Sequence, residues 1–233
     1  MNTVMRQEKK YLIDRVKMVE LKSYFSHFLT LDPHTKNGTY RVRSLYFDSI
    51  DDRDYHEKEE GIELRRKIRL RIYDPDSPYA MLEMKKKEGS SQQKRSMAMS
   101  RQDAEELIGG RYDVLLQYDT PFAKECYVVM NMHLYRPRSI VEYERIAYCG
   151  PANNIRITFD HDIRSTETDF DLFSKNLNLY PVFGQDRVVL EVKYNGYLFS
   201  PIKMALQSCD HSEVSVGKYS LSRSAGLHYI YQL

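Results

Sequence analysis

IELRRKIRLRIY, residues 62–73, is the stretch on which the fold turns. Its even positions are Ile62, Leu64, Arg66, Ile68, Leu70 and Ile72; its odd positions are Glu63, Arg65, Lys67, Arg69, Arg71 and Tyr73. A β-strand sends alternate side chains to opposite faces, so the segment reads as a strand with one apolar and one cationic face. The same split recurs in residues 79–87, where Ala80, Leu82 and Met84 oppose Glu83, Lys85 and Lys87. Residues 154–163 set Ile155, Ile157 and Phe159 against Arg156, Thr158, Asp160 and Asp162, and residues 187–195 set Val188, Leu190, Val192 and Tyr194 against Arg187, Val189, Glu191, Lys193 and Asn195. Near the start, Arg6, Glu8 and Lys10 share one parity.

Working outward, residues 4–14, 40–48, 92–99 and 138–149 read as further strands. The turn Asp74-Pro75-Asp76-Ser77-Pro78 joins residues 62–73 and 79–87 as a hairpin, and Glu88-Gly89-Ser90-Ser91 turns into the next strand. Helices are expected over residues 15–31, with Val16, Val19, Leu21, Tyr24, Phe28 and Leu31 near helical spacing, and over residues 51–60 as a solvated charged helix. Ser100, with Asp103 three residues on, caps a helix that Gly109-Gly110 ends, and Thr120-Pro121 opens one that runs to about Met132. Pro201 opens another, and residues 218–230 complete the set. About eight antiparallel strands with helices between them make an α+β fold, its sheet expected to close into a barrel. Residues 1–233 show no linker and no repeat, and are read as one domain.

The chain has 233 residues, with 29% charged and 42% hydrophobic residues. That mix is too apolar for disorder and has no apolar run near the ~18 residues of a spanning helix. No secretory signal is visible, and three distant cysteines (Cys126, Cys149, Cys209) point to a reducing cytoplasm and offer no metal-ligand spacing. A net charge of +2 argues against binding nucleic acid through a global field. No P-loop follows Gly109-Gly110, no serine has a nucleophile-elbow context, and the seven histidines are scattered. The 19 tyrosines read as packing residues. The cationic strand face has two readings, an ordinary solvated face or an anion-binding one. Two cations ~4 Å apart near a surface repel by roughly 4 kcal/mol, so several such strands facing one concavity would call for a bound polyanion. Helices covering the apolar face would favour the second reading.

Short motifs then occur in a telling order: Arg6-x-Glu8-x-Lys10-Tyr11, Ser44-Leu45-Tyr46-Phe47-Asp48, Arg69-Leu70-Arg71, Leu82-Glu83-Met84-Lys85, Tyr143-Glu144-Arg145, Arg156-Ile157-Thr158-Phe159-Asp160, Leu190-Glu191-Val192-Lys193 and Lys218-Tyr219-Ser220. This series resembles the VTC (vacuolar transporter chaperone) domain, the polyphosphate polymerase branch of the triphosphate tunnel enzymes. The resemblance implies an eight-stranded antiparallel barrel with helices outside and basic residues inside. It implies Lys10, Arg69, Arg71, Lys85, Lys94, Arg145, Arg156 and Lys218 as phosphate-binding residues. Arg95 and Lys87 are alternatives to Lys94, and Lys193, expected to face inward beside Glu191, joins the phosphate-binding set. Arg69, Arg71, Lys85, Arg145 and Arg156 would be catalytic. Glu191, with Glu8, would hold a divalent metal, manganese or magnesium. Arg145 shares its parity with Val141, Tyr143 and Ala147, so a bulge is invoked to aim it.

The related CYTH triphosphatases and class IV cyclases begin with Glu-x-Glu-x-Lys, whereas Arg6 stands first here, which favours the polyphosphate branch. The chain also lacks the SPX sensor and membrane helices of the eukaryotic subunits and resembles stand-alone bacterial VTC-domain proteins. The implied activity is transfer of the γ-phosphate of ATP to polyphosphate. Hydrolysis of triphosphate and non-catalytic binding of polyphosphate or inositol phosphates remain the alternatives. Further expectations are that Asp160 and Asp162 balance Arg156 or help hold metal, that Glu83 pairs with neighbouring cations rather than binding metal, and that Arg69→Ala hardly changes the stability of the unliganded protein.

Overall fold

The computed structural model describes residues 6–35, 38–89, 91–209, 212–214 and 217–231; Val4, Met5 and Ser90 of the expected elements lie outside these. The strands are β1 (Arg6–Asp14), β2 (Thr30–Leu31), β3 (Tyr40–Asp48), β4 (Arg65–Ile72), β5 (Tyr79–Glu88), β6 (Ser91–Ser100), β7 (Arg136–Cys149), β8 (Arg156–Thr166), β9 (Tyr180–Pro181) and β10 (Arg187–Asn195). The helices are α1 (Arg15–Phe25), α2 (Arg53–Glu59), α3 (Arg101–Ile108), α4 (Pro121–Met132), α5 (Ser200–Gln207) and α6 (Lys218–Tyr231). The expected caps form: the Ser100 side chain accepts from the Asp103 amide, and Thr120 accepts from the Ala123 amide ahead of Pro121.

The pairings β1–β10, β10–β8, β2–β7, β3–β4, β4–β5, β5–β6 and β8–β9 are antiparallel, and the sheet is not closed. Among the described residues its path runs β1-β10-β8-β7-β3-β4-β5-β6, with β2 added to β7 and β9 to β8, which makes ten strands and two ends. The closed eight-stranded barrel is therefore not what forms. The outer edge of β1 is already engaged, since Tyr11 bridges to Glu213 and the Val214 amide donates to the Lys10 carbonyl at 2.9 Å. The other end, β6, carries Gln92, Gln93, Lys94 and Arg95, the polar and charged composition that protects an edge strand.

The chain divides into two compact units, with β3, β7 and β8 passing from one to the other. In the unit formed by residues 1–41, 143–163 and 183–216, the apolar faces of β1, β8 and β10 (Tyr11, Ile13, Ile157, Phe159, Leu190, Val192) are covered by Met18, Leu21 and Phe25 of α1 and by Ile202 and Leu206 of α5. In the unit formed by residues 42–142, 164–182 and 217–233, Ile68, Leu70 and Ile72 of β4 and Leu82 and Met84 of β5 pack under Ala104 and Leu107 of α3 and under Cys126 and Met130 of α4. The side chains of this second core are 0–2% exposed. Truncating one such leucine to alanine typically costs about 2–5 kcal/mol. The apolar parity is thus taken up by helices, leaving the cationic parity on the other face.

Three local expectations fail for identifiable reasons. Leu64 is 62% exposed because β4 begins at Arg65. Helix α1 ends at Phe25 and buries Met18, Leu21 and Phe25, so Val16 and Val19 face solvent, and Leu31 instead pairs with Tyr148 as part of β2. The helix at residues 53–59 is not simply solvated, since Asp54 is 1% exposed.

Asp54 receives the Tyr135 hydroxyl on Oδ1 at 2.8 Å, while its Oδ2 is buried without a hydrogen-bond partner. Burial, and then the charge of Asp48, push its carboxyl up to about 8; Glu57 adds to this, and the Tyr135 hydrogen bond and Arg66 oppose it. The folded state therefore holds a proton that the unfolded chain releases above the ordinary carboxylate range. This contribution to stability is fully present in acid and is lost as pH rises toward about 8. Asp54→Asn should flatten the fall in melting temperature between about pH 5 and 8. An unchanged slope in thermal melts across that range would contradict the assignment.

Candidate phosphate and metal site

In the unit holding β4, β5 and β6, register builds a ladder of cations. Lys67 lies opposite Lys85, and Lys85 opposite Lys94, so three lysines stand side by side on neighbouring strands about 4.8 Å apart. The next row is Tyr46, Arg69, Glu83 and Ser96; beyond it come Ser44, Arg71 and Met81. Arg65 and Lys87 form the row on the other side of the lysines. This face carries seven lysines and arginines (four from β4, two from β5, one from β6) against the single carboxylate Glu83 on those strands. Like charges directly opposite on neighbouring strands are destabilising, so the arrangement is not one that packing alone selects.

Glu83 organises the ladder. It is 4% exposed and accepts Arg69 through Nε at 2.7 Å and Nη2 at 2.6 Å. Lys94 pairs with its other oxygen, and Arg71 stands 3.9 Å away. Burial alone would raise this carboxyl, but Arg69, Arg71 and Lys94 outweigh it and hold it at about 2. Arg69 also donates through Nη1 to the Tyr46 hydroxyl at 3.0 Å, and Arg71 donates to Ser44 Oγ at 3.2 Å. Tyr46 reports the local potential: burial pushes its phenol up, yet the charges of Arg69 and Arg71, with the Arg69 hydrogen bond and Lys67, bring it below its ordinary value. Between the alternatives for the β6 position, Lys94 is the residue that reaches Glu83, whereas Arg95 points to the other face and pairs with Glu125. Lys218 opens α6 in this same unit.

The other unit is balanced rather than cationic. Register puts Glu8 opposite Lys193, and Lys193 opposite Arg156; Lys10 lies opposite Glu191, and Glu191 opposite Thr158. Lys10 sits 2.7 Å from Glu8 and 3.8 Å from Glu191, while Lys193 sits 2.6 Å from Glu191 and 3.9 Å from Glu8. Two carboxylates and two ammonium groups thus alternate in one tetrad. Burial lowers the Lys193 ammonium, and the Arg145 charge adds to this against the pull of Glu191 and Glu8. Arg145 grips buried Asp160 at 2.6 and 2.8 Å and reaches the Tyr143 hydroxyl at 3.2 Å, so its parity neighbour is a hydrogen-bond partner. Asp160 therefore balances Arg145, not Arg156. Asp162 pairs with Arg15 and His161, and Arg156 pairs with Asp32 and donates to the Tyr40 hydroxyl at 3.1 Å.

Sequence reasoning missed Tyr46, Tyr143, Tyr40 and Asp32, each of which receives an arginine of the candidate set. The tyrosines had one available signal: a phenol on the charged parity of a strand, as Tyr46 is opposite Arg69. Asp32 had none, because its approach to Arg156 spans 124 residues. Among the described residues no three or more Asp, Glu, His or Cys side chains gather into a ready metal site. None of the described helices is long and apolar enough to cross a membrane.

A family model described as the VTC domain matches residues 5–225. No curated protein matches the chain. Among solved structures, a Bacillus halodurans protein provisionally described as an adenylate cyclase aligns at TM-score 0.52 and 11% identity, over 91% of this chain and 95% of its own. A Pyrococcus horikoshii protein aligns at TM-score 0.45 and 10% identity, over 93% of this chain and 97% of its own. The first of these likenesses is one of fold alone.

The Glu83 geometry revises one expectation: Arg69→Ala should destabilise the unliganded protein, because it takes the two closest arginine contacts from a buried carboxylate. Glu83→Gln tests the same cluster from the other side. Its carboxyl is held below the ordinary value, so the stability it confers is present above the ordinary carboxylate range and lost as pH falls toward about 2. The substitution should cost roughly 3 kcal/mol at neutral pH and remove that acid dependence. Inorganic triphosphate should raise the melting temperature of the variant more than that of the wild type. Unaltered stability across the pH range would show that Glu83 carries no such load.

Proposed function

The chain belongs to the VTC domain family, and from that premise we propose that it is a metal-dependent polyphosphate polymerase that transfers the γ-phosphate of ATP to a growing polyphosphate chain. The observation that carries this reading is the cation ladder of β4, β5 and β6, in which Lys67, Lys85 and Lys94 stand in register beside Arg69 and Arg71. Phosphoryl transfer asks a protein chiefly for positioning and for neutralisation of charge on the phosphate oxygens. Arg69 and Arg71 present planar forks suited to bidentate contact with phosphate, and the lysines supply point charges along the strands. Arg69 is pre-oriented by Glu83 and Tyr46, and Arg71 by Ser44. Arg145 and Arg156, each oriented by a carboxylate and a phenol, are the corresponding candidates in the other unit.

The donor chemistry of the Glu8–Lys10–Glu191–Lys193 tetrad fits a magnesium or manganese ion shared with substrate. Such ions take one or two carboxylates and complete their shell with phosphate oxygens and water. Glu191 and Glu8 would hold it, and it would supply positive charge to neutralise the phosphates during transfer. Lys10 and Lys193, now on those carboxylates, would exchange them for phosphate oxygens. In the reaction itself, an oxygen of the terminal phosphate of the acceptor chain forms a bond to the γ-phosphorus. The bond from that phosphorus to the bridging oxygen breaks, and ADP leaves with the electron pair. No protein nucleophile is required.

Incubation with γ-labelled ATP and manganese, resolved on a gel, tests the reading. Labelled polymer is expected; free phosphate as the sole product would make the protein a triphosphatase, and tight polyphosphate binding without turnover a binding module. Glu191→Gln should abolish metal-dependent turnover while triphosphate binding, followed by calorimetry, survives. Turnover near the wild-type rate would remove Glu191 as the metal ligand.

A further inference from the structure

Beside the cation ladder, on the same strand face, lies a buried polar and aromatic assembly of which the proposed chemistry uses only Tyr46. Asp48 ends β3 and is 0% exposed. Its Oδ1 accepts the amides of Ser49 at 2.7 Å and Asp54 at 2.8 Å; its Oδ2 accepts the Tyr55 amide at 3.0 Å and the Tyr219 hydroxyl at 2.6 Å. Four donors saturate a carboxylate, so this one is fixed in position. It serves the first turn of α2, whose own N-cap residue, Asp52, stands at φ 53° and makes no capping bond. It also holds the first turn of α6, where Tyr219 is 1% exposed and follows Lys218 directly.

The Tyr219 ring carries this anchorage to the cations. It stacks on Tyr46 with ring centres 5.2 Å apart and planes at 22°, and Tyr55 meets it edge-on at 6.4 Å. The Arg69 guanidinium lies 5.7 Å from the Tyr46 ring centre and donates to its hydroxyl, and Lys67 Nζ lies 5.9 Å from the Tyr219 ring centre. Both distances are within reach of a cation–π attraction. The next turn of α6 is secured separately, by Arg223 on Asp52 and Glu167 and by Ser222 on Ser139. The Tyr219–Asp48 bond is therefore not needed merely to keep α6 in place. Its particular effect is to set the plane of the ring that supports Tyr46.

We propose that Asp48 and Tyr219 are positioning residues for the phosphate site: the Asp48–Tyr219 hydrogen bond orients a two-tyrosine platform that aims Arg69 and Lys67 at a bound phosphate chain. This rests on the phosphate-binding part of the function proposed above and is independent of whether ATP is turned over. Tyr219→Phe keeps the stacked ring and removes only the hydroxyl.

The probe is inorganic tripolyphosphate, titrated calorimetrically at fixed ionic strength into the full chain, with melting temperature recorded for each protein. Tyr219→Phe is expected to weaken tripolyphosphate about tenfold, the scale of one charge-assisted hydrogen bond. In an Arg69→Lys background the same change should cost less than about threefold, because the platform then has no planar guanidinium to aim. That non-additivity is the mark of positioning, since a purely structural role would lower the melting temperature and leave the two backgrounds equal. Unaltered affinity in Tyr219→Phe, or an equal loss in both backgrounds, overturns the proposal. Asp48→Asn provides the second variant and should reproduce the Tyr219→Phe loss. A wild-type chain that fails to bind tripolyphosphate overturns the phosphate reading itself and this proposal with it, a result distinct from the other two.

Discussion

Lys67, Lys85 and Lys94 are held side by side by strand register, and much else in their unit is arranged around that repulsion. Neighbouring ammonium groups at strand spacing oppose each other by a few kcal/mol near a protein surface. A sheet accepts this only if its other face is bound firmly enough to fix the register. The apolar parity of β4 and β5, closed under α3 and α4, does that. A slip of one residue would exchange the two faces entirely, putting Ile68, Leu70 and Leu82 in place of the cations. The hydrophobic core is thus what keeps the charges together.

The two units resolve their charge differently. The unit with the tetrad answers each cation with a carboxylate: Lys10 and Lys193 with Glu8 and Glu191, Arg145 with Asp160, Arg156 with Asp32. The unit with the ladder supplies Glu83 for several cations at once and leaves a depressed Tyr46 phenol as the sign of the remaining positive potential. The proposed anion binding draws on the second arrangement, and the proposed exchange of ammonium for metal on Glu8 and Glu191 draws on the first. Tyrosine mediates in both, as Tyr46, Tyr143 and Tyr40 each receive an arginine without adding negative charge.

Strand parity made most of this legible. The split into apolar and cationic sets is the one seen from Arg65 to Ile72 and over residues 79–87, and β3, α4 and β10 occupy the residues expected of them, give or take the first position. Local pattern failed where a long-range contact decides. Asp54 belongs to a charged run yet is buried, because Tyr135 meets it from 81 residues away. Leu31 has helical spacing but finds a strand partner in Tyr148. Closure of the sheet was not legible at all, because alternation says nothing of which strand will cover an edge; Glu213 and Val214 do so for β1. Arginine partners do not follow proximity in sequence, since Asp32 reaches Arg156 across 124 residues and Asp160 reaches Arg145 across 15.

The central claim is that the ladder of β4, β5 and β6 is built for a chain of linked phosphates rather than for solvent. Thermal unfolding of the wild-type protein in equal ionic strength of chloride, orthophosphate and tripolyphosphate tests it most directly. Contacts from successive rows to successive phosphates predict a clear rise in melting temperature with tripolyphosphate at concentrations where orthophosphate and chloride do little. Equal, small shifts with all three anions would mean that the cationic face is an ordinary solvated surface, and would contradict the account.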